Sequence, residues 1–304
     1  DLIIERSDGT PTYNFTVVID DADMNISHVI RGDDHINNTP RQINLLHAIG
    51  CTPPVYAHVP MILGEDGKRL SKRHGAVGVM QYEELGIVPE ALLNYLVRLG
   101  WAHGDQEVFS LDQMIELFSL DSVSKSPACF SMEKLLWLNQ HYIKTLPATK
   151  VSGMLLAAFN RAGVDVDKGA SLEGIIEMQR ERVKDLSDMV TRSLFFYRDF
   201  DSYDEKAAKK NFKPQALLPL QALHEELNVL PAWEKHDIHQ CVLGIADRLE
   251  LKLGKVAQPL RVAVSGTAVS PPIDETLYYL GRECVIARIA RAIEYISHLS
   301  ETRA

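Results

Sequence analysis

Short apolar runs in the first 63 residues have the pattern of buried strands. Residues 15–19 (Phe-Thr-Val-Val-Ile) are largely β-branched and stop at two aspartates, which is typical of a strand that ends at a polar tip. Residues 27–30 form a second such run, and residues 55–63 form a third that ends at the turn sequence Gly-Glu-Asp-Gly. These runs predict three strands of an α/β region, half of a doubly wound sheet.

A helix is predicted between the second and third runs. Residues 39–42 (Thr-Pro-Arg-Gln) have the form of a capping box with proline at the first helical position. The helix that follows would place Ile43, Leu46 and Ile49 on its inner face and end at Gly50.

The apolar period becomes helical after about residue 75. No strand pattern of comparable strength returns, and the connections between the apolar segments are rich in proline, glycine and aspartate. The second half of the chain is therefore predicted to be an all-α bundle. The predicted helical segments are 89–99, 111–118, 132–142, 151–162, 171–199, 214–228, 236–252 and 283–299.

Composition narrows the class of protein. The 304 residues are 46% hydrophobic and 24% charged, as in ordinary globular proteins, and no apolar run approaches the roughly 18 residues of a membrane helix. We therefore expect no membrane association. Four isolated cysteines without a Cys-x-x-Cys pair argue against a thiolate zinc site or a disulfide framework, and we expect no metal site.

Charge argues against indiscriminate attraction to nucleic acid. The chain carries 32 basic and 41 acidic residues, a formal net charge of −9. Residues 1–149 contain 11 basic and 19 acidic groups, and residues 150–304 contain 21 and 22, so the second half is close to neutral. Grouped cations there could still bind RNA.

The segment 68–75 (Lys-Arg-Leu-Ser-Lys-Arg-His-Gly) is the first candidate for chemistry. It has four cations in six positions, a hydroxyl at Ser71 and glycines on both sides. Mobile cations beside a hydroxyl suit a polyphosphate, whose charge shifts during reaction. The alternative is an ordinary solvated basic turn.

Arg31 and Tyr13 are candidates for a small-molecule pocket. Arg31 opens the sequence Arg-Gly-Asp-Asp-His at the end of a predicted strand, where open α/β sheets place their ligands, and an arginine can hold a carboxylate with two hydrogen bonds. A salt-bridged loop is the alternative. Tyr13 could line a pocket or belong to the core.

Several motifs, in one order, resemble those of the bacterial glutamyl-tRNA synthetases. The signature Arg-Leu-Ser-Lys-Arg at residues 69–73 is similar to the "KMSKS" signature of class I synthetases. The other matching segments are 8–15 (Asp-Gly-Thr-Pro-Thr-Tyr-Asn-Phe), 17–21, 28–35 with 38–42, 89–101, 135–142 and 254–261. The resemblance covers essentially the whole chain.

The resemblance implies roles for individual residues. The family activates glutamate with ATP and transfers it to the 3′ end of its tRNA. Lys72, Lys68 and Arg69 would act on the ATP phosphates, and Ser71 would join Lys72 in binding ATP, a substrate that carries Mg²⁺. Arg31 and Tyr13 would bind glutamate.

The helical second half resembles the anticodon-binding domain of the family. Single-stranded bases are read by stacking and by arginine donors. The candidates are Arg182, in the predicted helical segment 181–186, and Arg261, in the sequence Pro-Leu-Arg. Surface arginines that only form salt bridges are the alternative for both.

One expected part of the family is missing from this sequence. Family members have a first Rossmann half with a His-Ile-Gly-His type motif, and residues 47–50 (His-Ala-Ile-Gly) lack its second histidine. We therefore interpret the chain as a C-terminal portion, inactive alone, with a partial Rossmann α/β fold followed by mainly α-helical domains. The predicted divisions are 1–66 (second half of the catalytic domain), 67–150 (signature loop and stem-contact region) and 151–304 (anticodon-binding domain).

Other interpretations stay open at this point. Glutaminyl-tRNA synthetases share the catalytic half but have β-barrel anticodon domains, and the paralogue that glutamylates queuosine has no anticodon domain. An autonomous tRNA-binding module without catalysis is the non-enzymatic alternative. The main interpretation implies glutamate tRNA, glutamate and ATP as partners, and a cytoplasmic monomer.

Overall fold

The computed structural model describes residues 2–71 and 78–301, with the side chains of 300 and 301 left out. The chain divides into two compact units. Unit 1 comprises Asp1–Gln81 and Pro89–Leu138, and unit 2 comprises Tyr82–Val88 and Asn139–Ala304. The three-part division predicted from the sequence stays a prediction.

A parallel β-α-β arrangement forms the centre of the first 60 residues of unit 1. Strands β1 (His28–Gly32) and β2 (Val55–Val59) pair in parallel, with His28 opposite Val55 and Gly32 opposite Val59. Helix α2 (Thr39–Ala48) connects them. Two of the three predicted strands are therefore confirmed, although the second of these ends at Val59 rather than at residue 63.

The first predicted strand is wrong, because residues 15–19 lie within helix α1 (Tyr13–Asp23). Val18 is buried to 1% exposure, and Asn14, Phe15, Asp21 and Ala22 are partly covered on the same helical face. This spacing of i, i+1, i+4, i+7 and i+8 has the period of a helix. Packing of this face against α2 outweighs the strand preference of the β-branched run.

The predicted capping box is also wrong. Asn38 occupies the N-cap position, but its side chain makes no capping hydrogen bond to the helix, and Thr39 is already helical. Leu46 is buried to 1% as predicted, whereas Ile49 is 43% exposed and does not face the core. The Thr39 and Gln42 side chains are used elsewhere, as described below.

The rest of unit 1 is helical and packs around aromatic residues. Trp101, Phe109 and Met114 form a small buried cluster. Buried Asn94 donates to the carbonyl of Glu107 at 2.9 Å and accepts from the amide of Phe109 at 2.7 Å, which fixes the segment before α5. The helices that follow β2 are α3 (Val79–Glu84), α4 (Pro89–Arg98), α5 (Leu111–Leu117) and α6 (Met132–Thr145), the last of which continues into unit 2.

Unit 2 is helical throughout its described residues, which confirms the all-α prediction. The predicted segment 171–199 is interrupted, and Arg182 lies in the connection between two helices rather than in a helix. Its helices are α7 (Ala148–Arg161), α8 (Leu172–Gln179), α9 (Leu186–Ser193), α10 (Glu205–Asn211), α11 (Leu217–Asn228), α12 (Lys235–Arg248), α13 (Leu253–Ser265), α14 (Ile273–Leu280) and α15 (Arg282–Glu301). The sequence pattern missed α10, α13 and α14.

Within the described residues, no helix combines the length and apolar character needed to cross a membrane.

Candidate functional site

Arg31 of β1 is held by two neutral side chains of α2. Its Nη2 donates to Thr39 Oγ1 at 2.8 Å and to Gln42 Oε1 at 2.8 Å. Gln42 is fully buried, and its Nε2 donates to Asn14 Oδ1 at 3.0 Å, which fixes the orientation of the amide. The two residues that the sequence suggested as a helix cap therefore position an arginine instead.

The positive charge of Arg31 is not neutralised by a contacting carboxylate among the described residues. Its Cζ lies 5.3 Å from the centre of the Tyr56 ring, and its buried Nε has no hydrogen-bond partner within the described chain. Burial raises the pKa of Asp21, and the charge of Arg31 partly offsets this rise. An arginine fixed by neutral acceptors, with donors to spare, is suited to an external anion.

Tyr13 lies beside the turn that follows β1. It is 52% exposed at the start of α1, and its hydroxyl is 3.3 Å from His35 Nδ1. Burial raises the pKa of Tyr56. The positive charge of Arg31 lowers this pKa, and the electrostatic interaction with Tyr13 raises it. The structure therefore places Tyr13 beside His35 and Arg31 beside Tyr56, and a shared glutamate pocket of Tyr13 and Arg31 stays a prediction.

The cationic segment begins on a hairpin near this neighbourhood. The amide of Gly64 donates to the carbonyl of Lys68 at 2.8 Å, and Arg69 Nη2 lies 3.5 Å from Asp34 Oδ2. The side chains of Lys68 and Arg69 are 82% and 67% exposed, so such pairs contribute little to stability and leave both cations accessible. Lys72 lies outside the described residues.

Gly32 has no room for a side chain. A Cβ at this position would lie 2.6 Å from Asp34 Oδ1 and 3.4 Å from Met61 Sδ. The glycine therefore lets the Asp34 carboxylate fold back against β1 and meet Arg69. The sequence pattern predicts no role for Gly32.

Unit 2 contains a cavity of about 800 Å³. We call it the arginine cavity because its walls carry several arginines. The walls come from α8, α9, the segment 194–202 and the loop after α13. Its lining includes Gln179, Arg182, Arg192, Phe195, Arg198, Asp199, Phe200, Ser202, Ser265, Thr267 and Ser270. Guanidinium groups beside aromatic rings can both donate hydrogen bonds and stack on planar groups.

Arg182 and Arg261 converge on Ser270. Arg182 Nη1 donates to the Ser270 carbonyl at 2.7 Å, and Arg261 Nε donates to Ser270 Oγ at 2.9 Å. Burial lowers the pKa of Arg261, and the charge of Arg182 lowers it further. Two like charges brought this close without a contacting carboxylate among the described residues favour an electron-rich ligand.

Asp199 forms the opposite charge in the same wall. Arg291 donates to its two carboxylate oxygens at 2.8 and 3.1 Å, and Arg288 Nε donates at 3.1 Å. Burial raises the pKa of Asp199, but the hydrogen bond from Arg291 and the two guanidinium charges outweigh this and leave the pKa below its usual value. Arg291 also lies 4.4 Å from the Phe200 ring centre. The sequence pattern does not predict this cluster of Asp199, Arg288 and Arg291.

Comparison with known proteins matches both units to domains of one enzyme class. The model of the class I tRNA synthetase catalytic domain (E and Q) matches residues 1–137, and the model of an anticodon-binding domain matches residues 140–293. A catalytic domain of this class followed by a helical anticodon-binding domain is the arrangement predicted from the motifs.

Similar proteins include glutamate–tRNA ligases of several bacteria. Glutamate–tRNA ligase 2 of Coxiella burnetii and glutamate–tRNA ligase 1 of Alkalilimnicola ehrlichii are each 58% identical over 296 residues, which is 97% of this chain and 63% of theirs. The crystal structure of a glutamate tRNA ligase from Elizabethkingia meningosepticum with its amino acid superimposes with a TM-score of 0.81 at 32% identity, over 97% of this chain and 62% of that one.

The chain belongs to the glutamyl-tRNA synthetase family of class I synthetases. It spans about 63% of the length of the curated relatives it matches. Residues 140–301 contain no strand, and an anticodon-binding domain model matches residues 140–293, so neither the glutaminyl-tRNA synthetase alternative nor the alternative without an anticodon-binding domain is favoured.

Proposed function

We propose that this chain contributes to glutamate–tRNA ligation, in which ATP, glutamate and tRNA(Glu) yield glutamyl-tRNA, AMP and pyrophosphate. The observation that carries the proposal is its 58% identity to glutamate–tRNA ligases over 97% of the chain, with both domain models matched in order. The protein would act as a cytoplasmic monomer on glutamate, ATP and tRNA(Glu).

Arg31 and Tyr13 would bind glutamate. The hydrogen bonds from Arg31 to Thr39 and Gln42 use neutral acceptors, so its charge stays available for the side-chain carboxylate of the amino acid. The Tyr13 hydroxyl, 3.3 Å from His35 Nδ1, would line the same pocket.

Lys68, Arg69, Ser71 and Lys72 would bind the phosphates of ATP. The exposure of Lys68 and Arg69 supports this role, because weakly paired surface cations can move onto a polyphosphate as its charge develops. Mg²⁺ would arrive with the nucleotide and share this charge.

Arg182 and Arg261 would read the anticodon. Arg182 lines a cavity large enough for a nucleobase, and Arg261 contacts the lining residue Ser270; Phe195 and Phe200 in the wall offer faces for stacking. A bidentate arginine contact to a base edge contributes about 1–3 kcal/mol of discrimination, or roughly 5–150-fold in affinity.

A binding titration with this 304-residue chain tests the anticodon assignment. Filter binding should give a lower dissociation constant for tRNA(Glu) than for the same tRNA with an altered anticodon, and Arg182→Ala should reduce that ratio at least fivefold. Equal affinity for the two RNAs would overturn the anticodon assignment.

A second assay tests the adenylation half of the proposal. The sequence contains no His-Ile-Gly-His type motif, so we propose that these 304 residues alone do not support glutamate-dependent exchange of pyrophosphate into ATP. Exchange at the rate of an intact synthetase would contradict this.

A further inference from the structure

Helix α10 presents a stripe of lysines to solvent. Lys206, Lys209 and Lys210 lie on the helix, and Lys213 follows just after its end, at the spacing i, i+3, i+4 and i+7. All four side chains are exposed, whereas the opposite face buries Ala207, Ala208 and Phe212 in the core of unit 2. The i, i+3, i+4 spacing gathers Lys206, Lys209 and Lys210 on one side of the helix, and Lys213 follows in extended backbone two residues after the helix ends. We call Lys206, Lys209, Lys210 and Lys213 the α10 lysine patch.

The α10 lysine patch has no carboxylate partner within the described residues. Other lysines of unit 2 do have one, since Lys144 lies 2.8 Å from Glu181 and Lys235 lies 3.7 Å from Glu275. Like charges at i, i+4 destabilise a helix slightly. In a protein of net charge −9, an uncompensated cluster of four cations therefore points to an external polyanion.

The α10 lysine patch begins at the rim of the arginine cavity. Ser202 lines the cavity three residues before α10 begins. The amide of Asp204 donates to the carbonyl of Gly266 at 2.8 Å, and Gly266 lies between the cavity residues Ser265 and Thr267. The residue that precedes α10 is therefore hydrogen-bonded to the loop that forms one cavity wall.

We propose that the α10 lysine patch binds the phosphodiester backbone of an RNA whose bases enter the arginine cavity. This inference rests on the proposed function. From Lys206 to Lys210 the helical part of the patch extends about 6 Å at 1.5 Å per residue, which matches roughly two phosphates along one strand, and Lys213 follows beyond the helix end. The lysines supply affinity without base preference, whereas Arg182 and Arg261 supply the preference.

The salt dependence of binding tests the role of the patch. Fluorescence anisotropy with a labelled anticodon stem–loop of tRNA(Glu), at several KCl concentrations, gives the slope of log affinity against log salt. Affinity falls as salt rises, and each lost phosphate contact makes this slope less steep by about 0.7–0.9. Lys209→Gln/Lys210→Gln should therefore reduce the magnitude of the slope by about 1.4–1.8 and weaken binding about tenfold or more at 0.1 M KCl.

A matched control separates the patch from overall charge. Lys125→Gln/Lys168→Gln removes two exposed lysines outside the patch and should leave the slope unchanged. The patch variant should keep the affinity ratio between native and altered anticodons, which Arg182→Ala should reduce.

The outcomes distinguish this inference from the proposed function. An unchanged slope in the patch variant, with normal binding by the original chain, would overturn the patch and leave the proposed function standing. Failure of the original chain to bind the stem–loop would overturn both. Binding of the patch to phosphatidylserine vesicles, with no effect of its substitution on RNA, would also overturn the inference.

Discussion

Asn139 offers a sharp test of how unit 2 positions Arg182. The side chain is fully buried and accepts from the amide of Val88 at 2.8 Å. Its Nδ2 donates to the carbonyls of Gly86 at 3.1 Å and Lys184 at 2.8 Å. Asn139 therefore ties the connection between α8 and α9, which carries Arg182, to the segment that precedes α4.

Asn139→Asp keeps the shape of the side chain but removes both donors. The carbonyls of Gly86 and Lys184 would then face a carboxylate oxygen. The Gly86 carbonyl keeps its hydrogen bond from the amide of Leu186 at 3.0 Å, whereas the Lys184 carbonyl loses its side-chain donor, and a buried acceptor left unsatisfied costs about 1–3 kcal/mol. Burying the new charge adds to this. We predict a loss of about 3–5 kcal/mol in the free energy of unfolding of unit 2.

Urea denaturation and hydrogen exchange measure this change. Exchange of the amides at residues 86–88 and 182–186 should accelerate together, since one side chain protects both segments. Asn160→Asp, at an exposed position of α7, is the control and should change stability by less than about 1 kcal/mol. A loss below about 1 kcal/mol for Asn139→Asp would refute the reasoning.

Three further predictions follow from individual contacts. Gln42→Glu would place a carboxylate against Arg31, so glutamate titration followed by NMR of the arginine side-chain N–H groups should lose its response; an unchanged response would contradict the proposed role. Burial raises the pKa of Cys241 to about 11, so roughly 0.1% of it is thiolate at pH 8 and alkylation should be at least tenfold slower than at exposed Cys129, as mass spectrometry of labelled peptides can check. The pKa of Asp199 is below its unfolded value of about 3.9, so its contribution to stability is present above about pH 4 and is lost as pH falls through the folded value. Thermal melts of Asp199→Asn between pH 2.5 and 6 should therefore show a shallower acid loss than those of the original chain, and equal profiles would contradict this.

Local sequence patterns located some elements and misread others for a physical reason. Residues 15–19 are largely β-branched and resemble a strand, but the exposed positions Tyr13, Thr16, Asp20 and Asp23 repeat with a helical period. The wider window shows the pattern that the five-residue run hides. The capping box predicted at residues 39–42 is wrong for a different reason. The side chains of Thr39 and Gln42 accept hydrogen bonds from Arg31 instead of capping the helix.

The sites show the same division between local and distant information. The positions of Arg31, Tyr13 and Arg182 could be found from motifs along the chain. Ser270 meets Arg182 across 88 residues and Asp199 meets Arg291 across 92, and no spacing rule predicts such contacts. The α10 lysine patch was not predicted either, because the sequence pattern missed the helix that places Lys206, Lys209 and Lys210 on one face.

Photo-crosslinking tests most directly whether the arginine cavity of unit 2 holds the anticodon. A stem–loop of tRNA(Glu) with thiouridine in its anticodon would be irradiated with the chain and the crosslinked peptides identified by mass spectrometry. We predict crosslinks within residues 179–202 and 261–270, where the cavity walls lie. Crosslinks confined to unit 1, or equally abundant with a stem–loop of altered anticodon, would contradict the assignment.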